Sequence, residues 1–113
     1  MKFTLKDAYK FGWDGLQGFA YNSKEDFANA SAALFEVRGN HGKVKTTVSD
    51  RVYYVIEGEG EFIINDEIIS ISATDVVIVP KNIPYDYRVK DGQIMKLFLV
   101  HTPAYEETSE IKL

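Results

Sequence analysis

Between Arg51 and Pro80, short β-branched and aromatic runs are interrupted at regular intervals by Gly, Asn and Asp, which is the pattern of successive strands. The first run is Arg51-Val52-Tyr53-Tyr54-Val55-Ile56, closed by Glu57-Gly58-Glu59-Gly60, whose glycines suit a tight reversal. Glu61-Phe62-Ile63-Ile64 reads as the returning strand, and Asn65-Asp66 turns the chain into Glu67-Ile68-Ile69-Ser70-Ile71. After Ser72-Ala73-Thr74-Asp75 comes Val76-Val77-Ile78-Val79, stopped by Pro80, which cannot donate to a ladder. These four runs predict consecutive antiparallel hairpins.

Two further runs fit the scheme, Ser31 to Val37 before this block and Gln93 to Val100 after it, the second set up by an Asp91-Gly92 turn. Ser23-Lys24-Glu25-Asp26-Phe27 has the form of a capping box and predicts one helical turn. Tyr105 to Leu113 shows no period and reads as a loosely attached tail. Short strands with no long helical period predict an all-β sandwich or closed barrel.

The length of 113 residues bounds this to a single domain, 1–113, with a core over about residues 31–101, N-terminal extension strands and a C-terminal tail. The absence of cysteine removes disulfides, thiolate metal sites and a cysteine nucleophile, and agrees with a reducing compartment. The first residues lack the apolar run of a signal peptide and no stretch is long enough to span a bilayer, so the expected location is cytoplasmic, without membrane partners. With a net charge of −4 and dispersed cations, there is no electrostatic case for nucleic acid.

Val52-Tyr53-Tyr54-Val55-Ile56-Glu57-Gly58-Glu59-Gly60 resembles the strand-and-turn centre of a cupin. The first cupin motif is a Gly, five residues, His-x-His, three or four residues, Glu, six residues, Gly. Gly39 and Gly58 take its ends, the histidine positions fall on Lys45 and Thr47, and the glutamate position falls on Arg51. The second motif resembles the stretch Thr74 to Tyr85: Pro80 stands at the proline, Thr74 and Asn82 at the two glycines, and Tyr85 at the histidine. The resemblance, covering roughly Gly39 to Val100, implies a cupin-type jelly-roll β-barrel and a homodimer. It also implies that every customary metal ligand has been replaced.

Lys45, Thr47, Arg51 and Tyr85 make an implausible metal site, because a guanidinium cannot ligate and a protonated ammonium offers no lone pair. The expected pocket takes no metal and no cofactor, and is suited to an anion. Strand alternation adds Tyr53 beside Arg51 and Tyr87 beside Tyr85, while Lys43 shares a face with Lys45. The predicted ligand-binding set is therefore Lys45, Thr47, Arg51, Tyr53, Tyr85 and Tyr87, for a small carboxylate, phosphate or sugar. Alternatively, Arg51 and Lys45 pair with acids such as Asp50 or Glu61 and the tyrosines fill the core.

Three functions stay open. One is a metal-free binding barrel for a small anionic or sugar-like ligand. The second is a metal-independent sugar epimerase or isomerase, with Tyr85 and either His41 or His101 as acid and base, the phenol pKa being lowered by nearby cations. The third is a structural or partner-binding barrel. Both histidines also read as ordinary loop and strand-end residues, and as the nucleus of a relocated metal site if a carboxylate joins them; Trp13 reads as a packing residue.

Overall fold

The computed structural model describes residues 1–113. Eleven strands follow in order: β1 (Tyr9–Trp13), β2 (Leu16–Ala20), β3 (Ser31–Val37), β4 (Val44–Thr46), β5 (Asp50–Glu57), β6 (Glu59–Ile64), β7 (Glu67–Ser72), β8 (Val76–Val79), β9 (Tyr85–Arg88), β10 (Met95–Thr102) and β11 (Glu110–Lys112). They form two antiparallel sheets, ordered β1-β2-β3-β10-β5-β8 and β11-β4-β9-β6-β7. The inner faces bury alternate residues, among them Val37, Val55, Phe62, Met95, Leu97 and Leu99, as the period of two requires. This is the jelly-roll barrel expected of the sequence.

The strand runs lie close to where the pattern placed them, but their partners differ. Only β6 and β7 form a hairpin within that block, through Asn65 and Asp66 at φ 50° and 69°, the double positive-φ turn that matches strand twist. β5 and β6, expected to pair, belong to opposite sheets, and β5 pairs instead with β8 and β10. Gly58, at φ 85°, carries the chain across, and a Cβ there would meet the carbonyl oxygen of Ile94. Alternation within a strand reports which face is buried, not which strand lies alongside it.

Of two smaller expectations, one holds and one is corrected. Ser23 and Asp26 make the capping contact, with the Ser23 amide donating to the Asp26 carboxylate at 3.0 Å, and the Asp26 and Phe27 amides donate to the Ser23 carbonyl at 3.1 and 3.2 Å, closing the single turn expected there. The C-terminal segment is not loose: β11 pairs with β4, with Ile111 opposite Lys45, and closes one edge of its sheet.

Candidate functional site

Of the four positions where the resemblance places metal ligands, the structure brings Arg51 and Tyr85 together, with Val44 and Thr46 turned inward in place of Lys45 and Thr47. Val44 on β4 is paired in register with Tyr85 on β9. The hydroxyl of Thr46 accepts a hydrogen bond from Arg51 Nη1 at 2.7 Å, and the Arg51 guanidinium carbon lies 4.7 Å from the centre of the Tyr85 ring. Arg51, Tyr85 and Thr46 are all buried.

Lys45 and Thr47 do not belong to this group. The motif allows three or four residues before the glutamate position, and the structure uses four, so Val44 and Thr46 turn inward while Lys45 and Thr47 project from the other face. Thr47 is exposed, its hydroxyl donating to the Ser109 carbonyl at 3.3 Å, and Lys43 pairs with Asp66 at 3.6 Å on the surface. The donor set of Val44, Thr46, Arg51 and Tyr85 does not fit a metal ion, since it offers an alkyl group, a hydroxyl, a cation and a protonated phenol. No cluster of three or more His, Asp or Glu side chains forms elsewhere, so His41 and His101 have no carboxylate completing a site with them.

The acids that could have neutralised Arg51 are engaged elsewhere. Glu61 pairs with Arg88 at 3.0 Å, and Asp50 accepts the Lys81 amide at 2.8 Å. Arg51 Nη2 is buried and has no hydrogen-bond partner.

Tyr53, Tyr85 and Tyr87 pack as one aromatic group with Phe62. Ring centres are 5.5 Å apart for Tyr53 and Tyr87, and 4.8 Å for Phe62 and Tyr87. The hydroxyls of Tyr53 and Tyr87 are buried near one another and near that of Tyr85, and neither completes a well-formed hydrogen bond. Burial pushes all three phenols well above their ordinary pKa, and Arg51 offsets this only in part, so the expected lowering by cations is not what the site produces.

His41 sits in the loop between β3 and β4, buried against Tyr87 with ring centres 4.5 Å apart and against Tyr85 at 5.6 Å. Its Nδ1 lies 2.8 Å from the Gly42 carbonyl oxygen, an acceptor only, so Nδ1 carries the proton and Nε2 keeps its lone pair. Burial lowers the pKa of His41, leaving the ring neutral at neutral pH.

Trp13 meets the His41 ring edge-on at 5.4 Å, and its Nε1 donates to the His41 carbonyl at 3.2 Å. The N-terminal hairpin thus fastens the His41 loop, a role that nothing in the sequence around Trp13 indicates.

His101, next to last in β10, stands directly opposite Arg51 and is buried beside Tyr105. Burial, then the Arg51 cation, lowers its pKa to about 3.

Two surface depressions lie apart from these groups, an apolar groove of about 540 Å³ beside Phe3, Phe27 and Val100 and a polar cleft of about 250 Å³ beside Glu61, Arg88 and Gln93. Tyr53 and Tyr87 are fully buried, so access to their hydroxyls requires the side chains that cover them to move.

The sequence matches the cupin domain family over residues 36–101. It matches no curated protein. Among solved structures it is similar to Streptomyces Pac13. A variant of that protein with uridine gives a TM-score of 0.88 at 26% identity, covering 99% of this chain and 89% of that one. A second Pac13 structure, described as a nucleoside dehydratase, gives the same score and identity over 100% and 90%. KdgF from Halomonas sp. shares the fold at TM-score 0.76 and 16% identity, over 94% of this chain and 96% of that one. Oxalate decarboxylase from Bacillus subtilis does so at 0.83 and 16%, over 98% of this chain and 31% of that one. With its two-sheet barrel and a family match spanning more than half its length, the chain belongs to the cupin domain family.

Proposed function

We propose that the barrel binds a nucleoside-like ligand and removes water from its sugar, with His41 as base and a buried tyrosine as acid. The observation that carries this reading is a neutral imidazole packed on Tyr87 and Tyr85, beside buried phenol hydroxyls that have no partner. The Pac13 structures with uridine carry substitutions at one histidine and two tyrosines, spaced along that chain by 13 and 34 residues. His41, Tyr53 and Tyr87 are spaced by 12 and 34.

In an elimination of this kind, His41 Nε2 takes a proton from a carbon beside a carbonyl, a carbon–carbon double bond forms, and the neighbouring C–O bond breaks. The departing oxygen receives the phenol proton and leaves as water. The imidazolium then returns its proton to the phenolate, restoring the site. A low histidine pKa keeps the base free, and raised phenol pKa values keep the acid protonated at neutral pH.

Trp13 is the sole tryptophan and touches His41, so its emission reports on the surroundings of His41. Titration with uridine gives a saturable change in that emission and a matching heat in calorimetry. No signal with uridine at millimolar concentration overturns the nucleoside assignment. With a nucleoside oxidised to a carbonyl in its sugar, mass spectrometry detects a product lighter by one water; a product of unchanged mass indicates epimerisation or isomerisation instead.

We also infer a homodimer. Val52 beside Ile78 and Tyr54 beside Val76 form an exposed apolar row on the outer face, and β8 is the last strand of its sheet, with one edge unpaired. Light scattering finds twice the 12.8 kDa chain mass, and Ile78→Lys returns it to one; a monomeric wild type removes the inference.

A further inference from the structure

The Arg51 guanidinium is held from two sides, and its second terminal nitrogen is left without a partner. Nη1 donates to Thr46, the Tyr85 ring lies against the plane at 4.7 Å, and Nη2 is buried with nothing to bond. Thr46 is itself fixed, because its hydroxyl donates to the Ser49 carbonyl at 2.9 Å.

No carboxylate answers the charge at close range. Besides Glu61 and Asp50, engaged as described, Asp86 accepts the Gly42 amide at 2.8 Å and the Tyr87 amide at 2.7 Å. Glu110 accepts the Tyr105 hydroxyl at 3.4 Å. A buried cation without a counter-ion costs several kcal/mol, and replacing it by an apolar side chain normally recovers that cost. Across the ladder stands His101, whose ring makes no hydrogen bond within the protein and which, being neutral, can present one N–H.

We propose that the ligand of this barrel carries an anionic group, a carboxylate or a phosphate, which docks on the free side of the Arg51 guanidinium with His101 as a neighbouring donor. A sugar hydroxyl would satisfy Nη2 but not the charge. Two oxygens of one anion satisfy both, because the planar fork matches carboxylate and phosphate geometry, and the Tyr85 ring holds the plane in place. The proposal rests on the interior being the ligand site, and not on dehydration.

The test compares uridine, uridine 5′-monophosphate and uridine 5′-carboxylic acid by calorimetry, together with inorganic phosphate and glucuronate followed by the side-chain NMR signal of Arg51 in the wild-type protein. That signal is assigned by its loss in Arg51→Lys. At least one anionic nucleoside binds about tenfold or more tightly than uridine, the size expected of one charge-assisted bond. The better of the two identifies the group as phosphate or carboxylate. The advantage disappears in Arg51→Gln and persists in part in Arg51→Lys.

Equal affinity for uridine and both anions, or an anion preference that survives Arg51→Gln, overturns the proposal. If no nucleoside binds, the nucleoside reading fails by itself. The anion proposal is then decided by glucuronate and phosphate: a saturable shift of the Arg51 signal upholds it, and an unmoved signal overturns it. The wild-type titration gives this answer even if Arg51→Gln does not fold.

Discussion

The imidazole of His41 lies on the ring of Tyr87 with centres 4.5 Å apart, although the two residues come from a loop and from β9. A loop histidine would ordinarily sample several orientations. Here the Gly42 carbonyl fixes its tautomer, its own amide donates to the Tyr87 carbonyl at 2.8 Å, and the Trp13 indole N–H anchors its carbonyl. The Arg38 and Gly39 amides both donate to the Gly15 carbonyl, at 2.8 and 3.0 Å, tying the start of the same loop to the N-terminal hairpin. The extension before the core is therefore what positions His41.

The Tyr53 and Tyr87 hydroxyls are buried without partners, which costs stability and is tolerated where a ligand completes the bonding. Tyr53→Phe and Tyr87→Phe are expected to leave the melting temperature unchanged or raise it, by up to about 1 kcal/mol of stability each. The same variants lose tenfold or more in kcat/KM for the dehydration. A stability loss above about 1 kcal/mol in thermal melts would mean that these hydroxyls are bonded in the free protein.

Spacing made the barrel legible in the sequence where residue identity did not. Thr74 and Asn82 stand at the two glycine positions of the second motif, and both keep positive φ, 77° and 67°, so the backbone shape persists without the glycine. The site was harder to read for a related reason. β4 is only three residues long, and in Val44-Lys45-Thr46-Thr47 neither phase shows a clear apolar alternation, so the motif's variable spacer left the inward face ambiguous. Arg51, Tyr53, Tyr85 and Tyr87 lie where longer or better anchored alternation placed them, whereas the pairing of β11 with β4 depends on a polar segment with no pattern.

Thr74 is a β-branched residue in the left-handed region, a conformation that disfavours its Cβ. Its amide donates to the Val55 carbonyl at 2.8 Å, which holds it there. Thr74→Gly relieves the clash at some cost in unfolded-state entropy, and the expected net effect is a gain of about 0.5–1 kcal/mol in denaturant titrations. A loss of stability would show that the threonine side chain makes a compensating contact.

Arg51→Met separates stability from binding. The substitution removes a buried, unpaired charge, keeps much of the side-chain length, and leaves Thr46 its bond to Ser49. The variant is expected to be as stable as the wild type or more stable, by about 1 kcal/mol or more, while losing its preference for anionic ligands. A marked fall in melting temperature would mean that the guanidinium is neutralised within the protein.

His101 makes the fold sensitive to acid. Its pKa is lowered to about 3 in the folded chain, chiefly by burial, whereas an unfolded histidine titrates near its ordinary 6.5. The unfolded state therefore binds the extra proton first, and stability falls as pH drops from about 6.5 towards 3. Between pH 7 and pH 5 this one group removes about 2 kcal/mol, and His41, shifted in the same direction, adds to the loss. In His101→Gln the ring no longer titrates, so denaturant titrations at pH 7, 6 and 5 give a decline shallower by about 2 kcal/mol. An identical slope in the two proteins would show that the ring reaches water and titrates normally, which its place opposite Arg51 beneath Tyr105 argues against.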